Sequence, residues 1–465
     1  MDSRGVSALR ESSISDIGEY GLADRWKIKA GLGRYSAFVE KLLSLSADTV
    51  GEASRTSSTT GTIIVGSSRT CESKEREMGF HDYSSPYDWS RIAQYKERAR
   101  EFAGGMIDLS IGSPADDVPE AVRVALADAA NAVNAYGYPA TVGTAELRAA
   151  LHEWFRTCRD VELAQIGADV VPTVGSKEAV AMMASLLHLG PGDVVVQPRV
   201  SYPTYEIGTQ VAGATVLKVD DVADVASWKD VPGVKAVWVN SPNNPTGATL
   251  DAAQLHAIVE AARAIDAVVL SDECYAMMTW NDDNDGDGML ERDLVGSPCA
   301  LRADVCDGDA RGVLVLYSLS KQSNMAGYRT ACIAGDAAIV HDMTNLRKQL
   351  GLIVPGPVQA AMMAGLRARD EVRLQHNRYH ARLEALVDGL RAYGYDASMP
   401  RGALYVWVKA RSGDCWQDME DLASIGIIAS PGEFYGDGAY LRFSTTVSDE
   451  DVAAAVGRLR AAATL

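Results

Sequence analysis

The pattern of apolar and polar positions from about residue 88 predicts short strands that alternate with helices. Two stretches, 144–160 and 176–190, carry apolar residues at helical spacing, and Thr144 is a candidate N-cap of the first. β-branched runs of strand length lie at 193–197, 215–219, 234–240, 267–271, 312–318 and 330–335. This alternation predicts an α/β fold, in which a mostly parallel sheet has helices on both faces.

The pattern changes after about residue 345. A long helical stretch covers 371–394, and three apolar runs near the C-terminus predict a small second sheet: ALYVWVKA, GIIAS and AYLRFS. We therefore predict a large domain and a smaller α+β domain. The large domain covers residues 134–344, and the small domain is assembled from 78–133 and 345–465.

Charge, hydropathy and cysteine usage exclude several classes of protein. Among 465 residues, 62 acidic and 44 basic side chains give a net charge of −18, which argues against binding to nucleic acid or an anionic membrane. No apolar run approaches the roughly 18 residues of a spanning helix, and the N-terminus lacks a secretory pattern. Seven cysteines without a C-x-x-C pair fit reduced thiols. We expect a soluble, cytoplasmic protein with no nucleic-acid or membrane partner.

Residues 1–77 differ from the rest of the chain. They hold 11 basic and 11 acidic residues and include a Ser/Thr/Gly-rich stretch, 54–70, that cannot bury much apolar surface. One interpretation is a disordered extension. The other is that the protein starts at Met78. Lys74–Glu77 directly precede it, and a purine-rich ribosome-binding site translated in frame would give such Lys and Glu residues.

The strongest chemical signal is GVLVLYSLSKQSNMAGYR (312–329), where an apolar strand leads into Ser318, Lys321 and Arg329. Ligand sites of parallel sheets form beyond the carboxyl ends of the strands. A lysine there, followed by small residues and an arginine, suits an amine that forms a Schiff base beside an anion site. The alternative is a solvated loop lysine.

Two other predicted strand ends carry polar side chains. VVLSDECY (268–275) places Asp272 at a strand end and Tyr275 three residues later. A carboxylate there can hold a pyridine nitrogen protonated and a phenol can bond a ring hydroxyl, although Asp272 could also cap a helix. Asn244 lies in VNSPNNPTG (239–247), which has a similar position but is also typical of a turn.

VPTVGSKEAV (171–180) places Gly175 and Ser176 where a helix begins, so their backbone N–H groups could bind a phosphate. Tyr202, after a further strand, could stack on an aromatic cofactor or pack in the core. Together these motifs resemble the class I/II aminotransferases of fold type I, which use pyridoxal 5′-phosphate (PLP). The resemblance covers roughly residues 88–460.

The resemblance implies roles around the cofactor ring. Lys321 would form the Schiff base with PLP and carry the proton between the substrate and the cofactor. Asp272 would pair with the ring nitrogen, which makes the ring an electron sink. Tyr275 and Asn244 would bond the ring hydroxyl, and Tyr202 would stack on the ring face.

It also implies residues for the cofactor phosphate and the substrate. The phosphate would be held by Gly175, Ser176, Lys177, Ser318 and Arg329. Tyr138 would reach the phosphate of the partner subunit, which implies a homodimer. Arg442 would bind the substrate α-carboxylate in a bidentate manner, close to Gly112 and Asn244.

Several further stretches, among them IDLSIGSPADDVP, SYPTYEIG and PGEFYG, are similar to actinobacterial N-succinyldiaminopimelate aminotransferases. That resemblance implies amino transfer between glutamate and a succinylated keto-pimelate. Such a substrate needs further cations, for which Arg199 and Arg401 are candidates, although both could be surface residues. The alternatives are an aminotransferase for other amino acids, a PLP lyase of this fold, or a regulator that senses a ligand.

We predict no metal site. The acidic stretch 282–288 approaches a calcium loop but has Leu294 at the twelfth position, where a glutamate is needed. His376 and His380 are four residues apart on a predicted helix and lack an evident third ligand, so we interpret them as a pair on the helix surface.

Overall fold

The computed structural model describes residues 88–280 and 296–463. The interpretations of residues 1–77 and of the stretch 282–288 lie outside these ranges. In chain order the helices are α1 (Ala93–Glu101), α2 (Glu120–Ala130), α3 (Ala145–Cys158), α4 (Gly175–Leu186), α5 (Thr204–Val211), α6 (Ala252–Arg263), α7 (Ala303–Cys306), α8 (Leu319–Gln322), α9 (Ala337–Leu350), α10 (Gly356–Arg367), α11 (Arg369–Ala392), α12 (Cys415–Ser424) and α13 (Asp449–Ala462).

The strands form one large sheet and two small ones. They are β1 (Ile107–Asp108), β2 (Ala168–Val174), β3 (Val194–Pro198), β4 (Thr215–Val219), β5 (Val234–Asn240), β6 (Val268–Asp272), β7 (Val313–Ser318), β8 (Thr330–Asp336), β9 (Tyr405–Lys409), β10 (Ile427–Ile428), β11 (Ser430–Pro431) and β12 (Tyr440–Ser444). The large sheet has the order β2-β8-β7-β6-β5-β3-β4, and β8 runs antiparallel to both its neighbours. The predicted α/β fold with a mostly parallel sheet is confirmed.

The six predicted strands of the large sheet lie within one residue of their observed bounds, but β2 was not predicted. Its run ADVVPTV contains Pro172, which has no backbone N–H and argues against a strand. β2 forms an edge of the sheet, and an edge strand tolerates a residue without a backbone N–H. Thr144 caps α3 as predicted, with its Oγ1 3.1 Å from the backbone nitrogen of Leu147.

The C-terminal runs form a three-stranded antiparallel sheet, in the order β11-β12-β9, while β10 pairs with β1. One apolar cluster packs helices such as α3, α6 and α10 against the large sheet, and another surrounds the three-stranded sheet. The proposed division into two domains remains a prediction. No helix within the described ranges has the length and apolar character needed to cross a membrane.

Candidate active site

The carboxyl ends of β5, β6 and β7 open into a pocket of about 560 Å³. The register places Asn240, the last residue of β5, beside Asp272, the last of β6. The predicted residues that line the pocket are Gly112, Ser176, Lys177, Tyr202, Asn244, Asp272, Tyr275, Ser318, Lys321, Arg329 and Arg442. Residues distant in sequence are thus assembled at one site.

Asp272 is buried at the end of β6, and its carboxylate is held by two neutral donors. The Tyr205 hydroxyl donates to Oδ2 at 2.7 Å, and the backbone nitrogen of Cys274 donates to Oδ1 at 3.2 Å. Burial raises the pKa of Asp272, while these two hydrogen bonds act in the opposite direction. A cationic N–H group in the pocket would therefore find a carboxylate already oriented to accept its hydrogen bond.

Tyr205 is a site residue that the sequence reasoning missed. It lies on α5, one helical turn after Tyr202, and its ring stacks on Trp238 of β5 at 4.5 Å. Tyr202 contacts the edge of Tyr205 with ring centres 5.7 Å apart. The spacing of the two tyrosines is visible in the sequence, but the direction of the Tyr205 hydroxyl follows from the packing of α5 on the sheet.

Asn240 fixes the loop that follows β5. Its amide Nδ2 donates to the backbone oxygen of Asp272 at 2.9 Å, and its Oδ1 accepts from the backbone nitrogen of Asn244 at 2.8 Å. The side chain of Asn244 is thereby directed to the same end of the sheet as Asp272. Asn240 was not a predicted site residue, because an asparagine at a strand end is also typical of a turn.

Lys321 lies on the short helix α8, directly beyond β7. The hydroxyl of Ser318 caps this helix by accepting from the backbone nitrogen of Ser320 at 3.1 Å. The Nζ of Lys321 donates to the backbone oxygen of Gly112, which lies in the loop after β1. The lysine amine is therefore held inside the pocket by a neutral acceptor.

An anion site lies where β2 meets α4. Gly175 has a positive φ of +75°, and a Cβ atom there would lie only 2.2 Å from Nη2 of Arg329. Arg329 itself is held by a 2.8 Å hydrogen bond from Nη1 to the backbone oxygen of Ala326. The N-terminus of α4, with Ser176 and Lys177 on the pocket wall, adds N–H donors and a second cation.

Arg442 on β12 supplies a second place for an anion. Nη1 donates to Oδ1 of Asn244 at 2.9 Å, and Nη2 donates to the backbone oxygen of Ser110 at 2.7 Å. The guanidinium also lies over the rings of Tyr405 and Tyr435, at 4.0 and 4.6 Å. Its Nε is buried and has no hydrogen-bond partner among the described residues. A carboxylate ligand would satisfy this donor.

Tyr405 is the third site residue that sequence reasoning missed, after Tyr205 and Asn240. It begins β9 and is buried in the pocket, where its hydroxyl lies 2.7 Å from the hydroxyl of Tyr275. An aromatic residue in a strand is ordinarily a core residue. No signal in the sequence separates this tyrosine from its apolar neighbours on β9.

Besides Gly175, the first residue of α4, three predicted or candidate residues do not line this pocket. Tyr138 is fully exposed on the loop after α2. Arg199 forms an exposed ion pair with Asp220 at 2.6 Å, and Arg401 is also exposed. The roles suggested for the two arginines therefore have no support within this subunit, whereas the predicted role of Tyr138 concerns a partner subunit.

The interpretation of the two histidines was wrong for His376, which is buried and not on the helix surface. Its ring lies 4.5 Å from Trp280, and its Nε2 lies 3.1 Å from the backbone oxygen of Thr279. His380 is close to Glu384 instead. Within the described part of the chain, no group of three or more His, Cys, Asp or Glu side chains could hold a metal ion.

A lysine beyond β7, a carboxylate at the end of β6 and an anion site at α4 meet at one edge of a mostly parallel sheet, which is the arrangement expected of a PLP-dependent enzyme of fold type I. The chain belongs to the aminotransferase class I and II family, whose model matches residues 104–459. This finding confirms the predicted family and its cofactor.

Individual relatives extend over most of the chain. It is 38% identical over 375 residues to 4-dedimethylamino-4-oxo-anhydrotetracycline transaminase OxyQ of Streptomyces rimosus, covering 80% of this chain and 98% of the relative. It is 29% identical over 388 residues to LL-diaminopimelate aminotransferase of Moorella thermoacetica, covering 81% and 95%. The solved structure of Thermus thermophilus aspartate aminotransferase with maleate superposes with a TM-score of 0.68 at 26% identity, covering 82% and 97%.

The residues of the pocket fit PLP. The absence of a Cβ at Gly175 leaves room for the Arg329 guanidinium beside the N-terminus of α4, where the two together suit a phosphate. The carboxylate of Asp272, held by neutral donors, is suited to a protonated pyridine nitrogen. Lys321 lies in the same pocket with its amine directed inward.

Proposed function

We propose that this aminotransferase acts on N-succinyl-LL-2,6-diaminopimelate and 2-oxoglutarate, with glutamate as the amino donor in the biosynthetic direction. The observation that carries the proposal is the Arg442 guanidinium. It lies in a pocket with an apolar wall, and its buried Nε has no hydrogen-bond partner among the described residues, so a substrate carboxylate could accept from it. Trp89, Ile111 and Phe434 form part of that wall and offer a surface for the methylene chain of a pimelate. The similarity to an LL-diaminopimelate aminotransferase supports this class of substrate.

The residues of the pocket divide the chemistry among them. Bound PLP supplies an electron sink for the electron pair that remains when the substrate Cα loses its proton. Arg442 binds the α-carboxylate and so selects the face of Cα that is presented to Lys321. The Lys321 amine takes the proton from Cα as a general base. Asp272 would hold the proton on the ring nitrogen, and Arg329 with the N-terminus of α4 would hold the phosphate.

A second candidate substrate is a larger, less charged ketone. Among the described residues that line the pocket, the cations are Lys177, Lys321, Arg329 and Arg442. Three of these are assigned to the cofactor and one to the α-carboxylate, so none is left for distal carboxylates. The 38% identity to a transaminase of an anhydrotetracycline derivative favours this candidate.

Absorbance spectra of the PLP-loaded enzyme distinguish the candidates. We expect N-succinyl-LL-2,6-diaminopimelate to convert the visible band of lysine-bound PLP into the band of the aminated cofactor, and Lys321→Ala to lack both the initial band and the conversion. A band that responds to glutamate but not to the succinylated substrate would refute the proposed acceptor. Conversion of the visible band by a polycyclic compound that carries an amino group in place of the ketone would then favour the second candidate. A band that no amino donor changes would contradict transamination itself.

We further propose a homodimer that works in the cytoplasm on small amino acids and 2-oxo acids. Val133, Tyr136 and Tyr138 on the loop after α2 are 93% exposed or more. Apolar and aromatic side chains so exposed favour a protein partner, and a second copy of this chain would place Tyr138 as the resemblance implies. The six cysteines in the described ranges are free thiols, which supports a reducing compartment.

A further inference from the structure

Tyr405 contacts three residues of the candidate site, Tyr275, Gly112 and Arg442, but has no role of its own in the function proposed above. Its hydroxyl lies 2.7 Å from that of Tyr275, and the two rings meet edge to face with centres 5.6 Å apart. A Cβ atom on residue 112 would lie 2.5 Å from the Tyr405 hydroxyl, so the glycine at this position leaves room for the phenol. The same Gly112 accepts the hydrogen bond of Lys321 through its backbone oxygen.

The charges around the two phenols make them unequal. Burial raises the pKa of Tyr405, but the charges of Lys321 and Arg442 and the bond with Tyr275 outweigh it, so that pKa lies below its ordinary value. Burial, and then the Tyr405 phenol, raise the pKa of Tyr275 well above its ordinary value. The thiol of Cys274 is a further titratable group next to the pair. Each phenol has one proton, and either hydroxyl could donate across this 2.7 Å contact. When Tyr275 gives its proton to the ring oxygen of PLP, as the resemblance implies, its own oxygen is left to accept a hydrogen bond from Tyr405.

We propose that Tyr405 is a positioning residue of the transamination: by donating to Tyr275 it directs and strengthens the hydrogen bond that Tyr275 offers to the ring oxygen of PLP. In a chain of hydrogen bonds each bond polarises the next, by about 10–30%. The proposal rests on the predicted contact of Tyr275 with the cofactor ring. It does not depend on which amino acid the enzyme uses.

The test is a pH titration of the visible absorbance of the PLP-loaded enzyme without substrate. Tyr405→Phe removes the hydroxyl and keeps the ring under Arg442. A weaker donor to the ring oxygen stabilises its ionised form less, so we expect the midpoint of the titration to rise by about 0.1–0.3 pH unit, the effect of weakening one hydrogen bond by 10–30%. Tyr393→Phe is the matched control, because this half-buried phenol lies outside the pocket beside Arg411. Its midpoint should equal that of the wild type.

A double-substituted variant separates this role from a general disturbance of the pocket. Tyr275→Phe alone should also raise the midpoint, and adding Tyr405→Phe to it should produce no further rise, since Tyr405 acts through Tyr275. An unchanged midpoint in Tyr405→Phe would overturn the proposal. So would a rise of equal size in both backgrounds. Because no substrate is present, either outcome leaves the proposed substrate untouched.

Discussion

At the scale of single residues, the anion site depends on an atom that is absent. Gly175 begins α4 with a positive φ, and the space where its Cβ would lie is filled by the guanidinium of Arg329. An alanine at this position has two separate costs. The left-handed backbone costs about 1–2 kcal/mol for any residue with a Cβ, and the methyl group displaces the arginine.

Gly175→Ala should therefore weaken PLP binding by about tenfold or more, the effect expected when one hydrogen bond to a charged group is lost. Gly167→Ala is the matched control, because Gly167 has a φ of +70° but nothing within 4 Å of its Cβ position. Both variants should be less stable in thermal unfolding without cofactor, and Gly175→Ala by the larger amount because its methyl group also displaces Arg329. Fluorescence titration with PLP measures the affinity, and equal affinities in the two variants would contradict the role of Gly175.

Residue-level prediction succeeds where local sequence determines position. Asp272, Ser318 and Lys321 could be placed because parallel strands end on the same side of the sheet, and strands are visible as β-branched runs. Tyr205 and Tyr405 could not, because their roles depend on where an aromatic hydroxyl points after packing. Such directions depend on contacts between elements more than 60 residues apart in sequence, as for Tyr205 and Asp272.

At the scale of elements, a buried ion pair ties the end of β6 to the end of α3. Nη2 of Arg159 donates to Oε2 of Glu273 at 2.7 Å, and both side chains are fully buried. The other oxygen of Glu273 accepts from the backbone nitrogen of Ala300 at 2.8 Å. Since Glu273 directly follows Asp272, this pair fixes the segment that carries the cofactor's carboxylate.

Arg159→Met should lower the free energy of unfolding by about 3–5 kcal/mol, because it leaves a buried carboxylate without its cation. Arg156→Met is the control on the same helix: its partner Glu153 is three residues away and both are about half exposed, so a loss of about 0.5 kcal/mol or less is expected. Urea unfolding measures both. Adding Glu273→Gln to Arg159→Met should restore part of the loss, and a single variant as stable as Arg156→Met would contradict the prediction.

The strand β2 shows where element-level prediction fails. Its proline argues against a strand in the sequence, although β2 pairs with β8 over its whole length from Ala168 to Val174. Position in the sheet decides whether a missing N–H matters, and position is a property of the assembled sheet. The helix that follows could still be recognised, because Gly175 and Ser176 begin a clear amphipathic pattern.

At the scale of the whole molecule, the proposed dimer predicts that two differently substituted subunits can complement each other. If Tyr138 completes the partner's site, a hybrid of Lys321→Ala and Tyr138→Ala subunits has one site with an intact lysine and an intact tyrosine. Random association of two nearly inactive variants should then restore about a quarter of the wild-type activity.

Co-expression with two different affinity tags isolates the hybrids, and the turnover per hybrid dimer should be about half that of the wild type. Lys321→Ala with Asp272→Asn is the matched control. Both of these residues line the pocket of their own chain, so each site of that hybrid lacks one of them and no activity should return. Purified Lys321→Ala/Tyr138→Ala hybrids without activity would show that Tyr138 does not act across the interface. Active control hybrids would show instead that Lys321 and Asp272 do not serve one site.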